Sequence, residues 1–316
     1  MKKHSTVCAG IDTGKRKLDV ALAGADERLE LANTEQGHGK LTAWLRQHQV
    51  RRVGIEASGG YEQAVVSRLR RDGFVVIVFQ PMQVRAYARF HGLRAKNDKI
   101  DAVLIADCTA AAKKIHAPPD PRLVVLAAHQ TLIDQIIDQI ARCKNYRESS
   151  RDAQRQFWND EIKRLRGLFK QQLKNLVAAI RRYRDLAERL DLIASIDGIA
   201  LRTAVAILVR VPEIGRISRQ QIAALAGLAP YDKDSGDQSA ARHIEGGRQR
   251  LRNNIYNAAF AASFHWNAEL TALYQRLTAA GKEHKVALVA CARKLLIYAN
   301  AVVARGTPWV SRAVAP

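Results

Sequence analysis

The chain has few cysteines, and they are scattered along its 316 residues. None forms a CxxC pair, so the sequence offers neither a thiolate zinc site nor an obvious disulfide framework. Each cysteine stands in an apolar or helical context, which predicts four buried thiols in a reducing cytoplasm. The four are Cys8, Cys108, Cys143 and Cys291.

Long apolar runs are also missing. No stretch approaches the roughly 18 uninterrupted apolar residues that indicate a membrane-spanning helix. The first residues, MKKHSTVCAGID, include lysines but no apolar core, so no signal peptide is expected. We expect a cytoplasmic protein with no membrane partner, associated with the nucleoid when it acts.

Acidic residues are outnumbered. Lys and Arg total 51 against 30 Asp and Glu, a formal net charge of +21. Hydrophobic residues make up 47% of the chain, enough for a sizeable core. Such a positive charge favours a nucleic-acid partner over an anionic membrane surface.

Strand and helix patterns alternate in the first third of the chain. Residues 6–33 read as a strand meander, and VRRVGIEAS and FVVIVF read as later strands, with helices between and after them. This order predicts a mixed α/β unit over residues 1–117. Because FVVIVF is wholly apolar, it is expected in the centre of the sheet.

Helical patterns dominate the rest. Pro118, Pro119 and Pro121 break the chain, and an amphipathic pattern then predicts a helical, coiled-coil linker over 118–190. The linker is expected to pair its helices and to hold subunits together as a dimer or tetramer; packing within its own domain is the alternative. Residues 191–316 form a third predicted region, mostly α-helical.

Two features of that third region suggest contact with phosphates. Gly198 separates two apolar helical stretches, as in a helix–hairpin–helix turn, although a plain helical hairpin explains it equally well. Two basic helices are predicted over about 247–264 and 281–304. Their candidate nucleic-acid-binding residues are Arg248, Arg250, Arg252, Lys282, Lys285, Arg293 and Lys294.

Four carboxylates carry the predicted chemistry. Asp12 and Glu56 stand where two apolar strands stop, and Asp98 and Asp101 are three residues apart, on one helix face. If the two strands are neighbours, Asp12 and Glu56 both emerge at one edge of the sheet. Oxygen ligands alone suit Mg²⁺ or Mn²⁺, which assist phosphodiester cleavage. Each residue taken singly is also explained as a turn or surface carboxylate.

The sequence resembles the IS110 family of insertion-sequence transposases, which includes the Piv-type DNA invertases. The resemblance lies in AGIDTGKRKLDVAL, GIEASGGY, AKNDKIDA, the GLAP…SG loop, RLRNNIYNAA and KVALVACARKLL, in this order over nearly the whole chain. It implies a RuvC-like, RNase H-type N-terminal domain with a DEDD metal tetrad at Asp12, Glu56, Asp98 and Asp101. It further implies a coiled-coil linker and a C-terminal transposase domain.

The resemblance also implies a nucleophile and partners. By motif the nucleophilic serine is Ser235, which would form a transient phosphoserine link to DNA. The implied partners are the DNA of the element ends and target, and a structured non-coding bridge RNA that pairs with both DNAs. Read from the residues alone, Ser235 is better explained as a turn serine, since Ser-Gly is a common turn pair and no His lies immediately beside it.

Two other functions stay open on the sequence. One is a RuvC-like, metal-dependent nuclease that cuts branched DNA with water. The other is a non-catalytic nucleic-acid-binding protein. A covalent protein–DNA adduct distinguishes the recombinase from the first, and metal-dependent strand cleavage distinguishes it from the second.

Overall fold

The computed structural model describes residues 7–92, 98–113, 115, 120–231 and 243–311, with only the backbone for residues 98–100 and 231. Its contacts divide the chain into two compact units, Met1–Pro118 and Pro119–Pro316. The first is α/β and the second is almost entirely helical. The predicted class, α/β at the N-terminus and helical afterwards, is therefore confirmed.

The N-terminal unit is built on a 5-stranded mixed sheet with strand order β3-β2-β1-β4-β5. The strands are β1 Cys8–Thr13, β2 Lys17–Leu22, β3 Arg28–Ala32, β4 Arg52–Glu56 and β5 Val75–Phe79. The first three strands form an antiparallel meander, whereas β4 and β5 run parallel to β1. The helices are α1 Glu35–Gln47, α2 Gln63–Arg71, α3 Pro81–Phe90 and α4 Asp98–Ala111.

The two faces of this sheet are covered differently. On one face, Ile11 and Ile55 join Leu41, Leu45 and Leu69 of α1 and α2 in a buried core. The opposite face carries α4, which contacts β1, β2 and β4. Since side chains alternate along a strand, every second residue of β1 and β4 faces α4.

Two glycines let α4 approach this second face closely. A Cβ atom on Gly10 would overlap the Ala102 carbonyl oxygen and the Ala106 amide nitrogen. A Cβ on Gly54 would overlap the Thr109 hydroxyl. The helix therefore rests directly on the backbone of β1 and β4.

We expect Gly10→Ala to destabilise the N-terminal unit, because the obstructing atoms belong to the α4 backbone and cannot rotate away. Overpacking of this kind costs about 1–3 kcal/mol or more. Gly39→Ala in α1 is the matched control, since nothing lies within 4 Å of its Cβ position. Alanine there should stabilise the helix by up to about 1 kcal/mol. Urea denaturation of both variants measures the difference, and equal midpoints would contradict the close packing.

The predicted central position of FVVIVF is wrong. Its strand, β5, pairs with β4 and with no other strand that the structure describes, so it lies at an edge of the sheet. Val76 and Phe79 are buried, while Val75 at the start of the strand is 41% exposed. The apolar run reflects covering of the faces of β5 by helices, which does not require a neighbouring strand on both sides.

The C-terminal unit is a helical assembly. Its helices are α5 Pro121–Ser149, α6 Asp152–Arg181, α7 Arg184–Ala194, α8 Leu201–Arg210, α9 Arg219–Leu225, α10 Gln249–Ala261, a π-helix Ala262–Trp266, α11 Ala268–Ala279 and α12 His284–Arg305. A short two-stranded sheet pairs β6 Pro230–Tyr231 with β7 His243–Ile244.

The helices α5 and α6 form the expected antiparallel pair. The start of α5 shares a core with the end of α6, through Leu126 and Ile180. The end of α5 packs against the start of α6, through Cys143 and Ile162. Because the first of these clusters continues into α8 and α12, the pair belongs to the same compact unit as residues 191–316. The separate coiled-coil domain over 118–190 stays a prediction.

Two further expectations concern apolar environments. All four cysteines are buried and free, as the sequence predicts.

Within the described residues, α12 is long and apolar enough to cross a membrane by length and composition. Its buried residues, among them Leu288, Leu295 and Leu296, lie in the core of the C-terminal unit. That position is typical of a core helix.

Candidate metal centre and nucleic-acid interface

The sheet register places two predicted metal ligands side by side. Strands β1 and β4 are parallel, and their register runs as far as the pair Ile11 and Ile55. Asp12 and Glu56 are the next residues of these neighbouring strands. They lie two residues after Gly10 and Gly54, so they face the side of the sheet that α4 covers. The neighbouring strands that the sequence argument required are present.

The negative charge of Glu56 affects the pKa of a residue on α4, Cys108. The pKa of the Cys108 thiol, on α4, is raised to about 11 by burial first, and then by the negative charges of Asp107 and Glu56. This effect places the Glu56 carboxylate near α4, in agreement with the alternation along β4. At neutral pH the Cys108 thiol therefore stays protonated.

Helix α4 supplies the other two predicted ligands. Asp98 is its first residue and Asp101 lies within its first turn. The Asp101 side chain is half-buried, whereas the Asp98 side chain lies outside the described residues. Asp98 and Asp101 precede Ala102 and Ile105 by one helical turn, and the backbone of both these residues packs on Gly10. The helix that carries them thus packs on the face where Asp12 and Glu56 lie.

A further carboxylate on this face, Asp19, is missing from the predicted set. It is directly opposite Asp12 in the antiparallel β1–β2 pair and is only 8% exposed. Lys17 Nζ lies 3.0 Å from its Oδ2 atom. The sequence signal is the charged pair at positions i and i+2 in KLDVAL, which alternation places on one face.

The donor set fits a hard divalent cation. Acidic residues directly opposite one another repel, and a bound cation removes that repulsion. The four predicted ligands offer carboxylate oxygens, which suit Mg²⁺ or Mn²⁺. Among the side chains that the structure describes, no three His, Cys, Asp or Glu residues are grouped as a metal site. Asp12, Glu56 and Asp101 belong to these described side chains and are not grouped as a three-ligand site, and the Asp98 side chain lies outside them.

Ser235 lies outside the described residues, in the segment 232–242. The residues flanking that segment are described, and Tyr231 pairs with His243 in the small antiparallel sheet. Tyr231 and His243, the described residues on either side of the segment, are therefore neighbours in the C-terminal unit. The catalytic role of Ser235 stays a prediction.

The seven residues predicted to contact nucleic acid differ in their hydrogen-bond partners and in their exposure. Arg248 pairs with Glu213 at 2.8 Å, and Arg250 with Asp138 at 2.6 Å. Arg252 donates to the Gly246 carbonyl oxygen at 2.6 Å. These three arginines therefore brace their own unit. The other four are also on its surface: Lys282, Lys285 and Lys294 are exposed, and Arg293 is half-buried. Contact of all seven with nucleic acid stays a prediction.

Two family models match the chain in order. Residues 9–149 match the DEDD transposase model of IS110 type, and residues 190–275 match the transposase model of the IS116/IS110/IS902 family. The chain belongs to the IS110 family of transposases. It is accordingly a DNA recombinase, and DNA is its partner.

Curated relatives of this IS110-family chain include two pilin gene-inverting proteins. Those of Moraxella bovis and Moraxella lacunata are each 27% identical over 320 residues, which covers 96% of this chain and 97% of the relative. An uncharacterized 43.6 kDa protein of insertion element IS110 from Streptomyces coelicolor is 34% identical over 122 residues. That match covers 38% of this chain and 30% of the relative.

Solved structures with some likeness to the IS110-family chain include two of Thermus thermophilus RuvC. One, in complex with a Holliday junction substrate, has 16% identity and a TM-score of 0.27, covering 33% of this chain and 92% of RuvC. The other has 22% identity and a TM-score of 0.24, covering 36% and 84%. The strand order β3-β2-β1-β4-β5 itself defines the fold of the N-terminal unit.

Proposed function

We propose that this IS110-family transposase cuts and rejoins DNA with a divalent-metal site formed by Asp12, Glu56, Asp98 and Asp101 and with Ser235 as nucleophile. The observation that supports the metal site best is the position of Asp12 and Glu56. They follow the last register pair of two neighbouring parallel strands, on the face against which α4 packs.

Each group then has a defined task. A bound Mg²⁺ or Mn²⁺ would supply positive charge to the oxygens of the reacting DNA phosphate. The strand carboxylates and those of the first turn of α4 would hold the cation at the sheet. The Ser235 oxygen would form a bond to phosphorus as the bond to the leaving DNA strand breaks, and its hydroxyl proton would pass to that leaving oxygen.

A second DNA end would complete the exchange. Its hydroxyl oxygen attacks the phosphoserine, the Ser235–phosphorus bond breaks, and the serine regains a proton. The number of phosphodiester bonds is conserved, so the reaction needs no nucleotide hydrolysis. The names of the two Moraxella relatives state inversion of a pilin gene, and any inversion of DNA needs strands to be cut and rejoined.

We further propose that an RNA guides the protein, as the resemblance to the family implies. A structured bridge RNA that pairs with element ends and target would select both DNAs, and the net charge of +21 suits an RNA partner as well as DNA. The protein would act in the cytoplasm, associated with the nucleoid. RNA purified with the protein should contain loops complementary to both sites.

Recombination reconstituted with purified protein, RNA and two DNA sites tests the function as a whole. We expect no joined product after removal of divalent ions, and full recovery with Mg²⁺ or Mn²⁺, because the donor set consists of hard carboxylate oxygens. Zn²⁺ should not restore the reaction, since no His or Cys is among the proposed ligands. Joining at an undiminished rate in a chelator would contradict the metal site.

Self-association is expected through the α5–α6 pair. Apolar side chains stay exposed on these helices, including Val125 at 72%, Tyr146 at 52% and Phe157 at 62%. Tyr146 and Phe157 both lie beside Trp158, and a contiguous exposed apolar patch of this kind is typical of an interaction site. We propose that it joins subunits into a dimer or tetramer on nucleic acid.

Light scattering of the RNA–DNA complex measures the subunit number. We expect two or more subunits per complex, and a shift toward single subunits for Val125→Ser. Val310→Ser is the matched control, because Val310 is 77% exposed outside the pair. One subunit per active wild-type complex would contradict the proposal, as would equal effects of both substitutions.

A further inference from the structure

A cavity of about 510 Å³ opens beside the Gly198 turn of the C-terminal unit. The start of α8 forms one wall and α10 forms another, while Trp266 of the π-helix lies at its side. Gly198 has a φ of +91°, and a Cβ there would overlap the Ala262 side chain. The turn is therefore fixed tightly against the π-helix that carries Trp266.

The N-terminus of α8 faces this cavity with unused donors. Its N-cap residue, Ala200, has no side chain that can accept a hydrogen bond. Within the described part of the chain, no hydrogen bond occupies the backbone amides of Leu201 and Arg202. Free amides at the start of a helix, together with the helix dipole, attract an anion.

Thr203 is an independent sign that the cavity accepts a ligand. The residue is only 7% exposed, and it lines the cavity. Among the described residues its hydroxyl group has no hydrogen-bond partner, although threonines within helices commonly bond to a carbonyl one turn earlier. Its oxygen is still accessible, so the hydroxyl group can donate a hydrogen bond to a ligand in the cavity.

Arg202 brings a positive charge to the same place, which the negative charge of Asp134 partly offsets. It is half-buried, and no carboxylate of the described residues lies within 4.0 Å of it. Its guanidinium lies 5.6 Å from the centre of the Phe169 ring and donates to Asn254 Oδ1 at 3.4 Å. Burial lowers the pKa of Arg202, yet an arginine stays charged at neutral pH. An anion at the start of α8 would neutralise it.

Trp266 offers a flat apolar surface beside these donors. Its side chain is 68% exposed, and no aromatic ring of the described residues stacks on it. Asn254 and Asn257 of α10 line the cavity between Trp266 and α8, and their amide groups both donate and accept hydrogen bonds. An aromatic face next to an anion site matches the two parts of a nucleotide, base and phosphate.

We propose that this cavity binds one unpaired nucleotide of a single-stranded nucleic acid. The phosphate would lie at the α8 N-terminus, held by Arg202 and the Thr203 hydroxyl, and the base would stack on Trp266 next to the two asparagine amides. The inference rests on the nucleic-acid partner of the proposed function, but not on the metal site or on Ser235. Its failure is therefore distinguishable from theirs.

Fluorescence anisotropy of the full-length protein tests the proposal. Labelled single strands of about twelve nucleotides, one DNA and one RNA, are titrated in a chelator so that no cleavage occurs. A DNA duplex of the same sequence serves as the paired comparison. We expect Trp266→Ala to weaken single-strand binding about tenfold, because base stacking is lost, and to leave duplex binding unchanged. Comparing the DNA and RNA strands shows which of the two supplies the nucleotide.

Two further variants test the phosphate end of the cavity. Thr203→Val keeps the shape and removes the hydroxyl group, and should weaken single-strand binding about fivefold. Arg202→Gln should also lower the slope of log affinity against log salt by about 0.7, the value for one phosphate contact on a single strand. Thr278→Val and Arg184→Gln are matched controls outside the cavity, and neither should change single-strand binding beyond the small general effect of charge.

Folding is checked separately, by thermal unfolding of each variant. Since Trp266 is largely exposed, its removal should leave the unfolding midpoint close to wild type. Wild-type single-strand affinity in a folded Trp266→Ala or Thr203→Val variant would overturn the proposal. Equal weakening of single-strand and duplex binding by Trp266→Ala would also overturn it, because a paired base cannot enter the cavity.

Discussion

Ser235→Ala is expected to abolish strand exchange completely. If Ser235 attacks phosphorus, the change removes the atom that forms the covalent bond to DNA. If water attacks instead, a turn serine contributes no more than about 1 kcal/mol, and activity should change little. The recombination activities expected for Ser235→Ala under the two mechanisms therefore differ by far more than the error of the assay.

A trapping experiment gives the decisive measurement. A DNA substrate nicked so that rejoining cannot occur is incubated with protein, RNA and Mg²⁺, and the products are separated on a denaturing gel. We expect DNA on the peptide that contains Ser235, and no adduct with the Ser235→Ala or Asp98→Asn variant. Ser149→Ala, at the end of α5, is the control and should form the adduct normally.

Two outcomes would exclude Ser235 as the nucleophile. One is efficient joining without any adduct, which favours the RuvC-like nuclease that uses water. The other is an adduct on a different residue. In either case the metal site could still stand, because the proposed tetrad does not include Ser235.

Removal of any carboxylate of the tetrad is expected to reduce recombination nearly as strongly as Ser235→Ala does. Asp12→Asn, Glu56→Gln, Asp98→Asn and Asp101→Asn should each reduce recombination to below about one-hundredth of wild type, because charge stabilisation by metal ions is worth several kcal/mol. Binding of DNA and RNA should stay near wild type, since the variants lose no positive charge. Asp26→Asn is the control, at an exposed turn of the same unit.

The unfolding temperature of a tetrad variant shows whether the variant is inactive because it no longer binds metal or because it no longer folds. Asparagine has nearly the same shape as aspartate, so Asp12→Asn should keep the pairing of β1 with β2. In a chelator the Asp12→Asn variant should therefore unfold at a temperature close to that of wild type. A large fall in that temperature would assign Asp12 a structural role, and recombination near the wild-type rate would remove it from the tetrad.

The sequence predicted those parts of the site that depend on where strands end. Asp12 and Glu56 were found because apolar runs stop beside them, and register then makes them neighbours. Asp19 was missed because its position depends on pairing between β1 and β2, which a single run of residues does not reveal. The edge position of β5 was missed for a related reason. Apolar composition reports how the faces of a strand are covered, not how many strands pair with it.

The C-terminal cavity shows a second limit of sequence patterns. The turn at Gly198 was predicted from its place between two apolar helices. The π-helix that brings Trp266 to the same cavity was not, because residues 262–266 continue the apolar pattern of α10. Such a local change in helical winding rotates the residues that follow it, and periodicity alone does not indicate it.

The direct contact of α4 with Gly10 also restricts which suppressor mutations can exist. The obstructing atoms are a peptide oxygen and a peptide nitrogen, so no smaller side chain at Ala102 or Ala106 can create room for a methyl group at position 10. A genetic screen for second-site revertants of Gly10→Ala should therefore yield true reversion to glycine, and not compensating substitutions in α4.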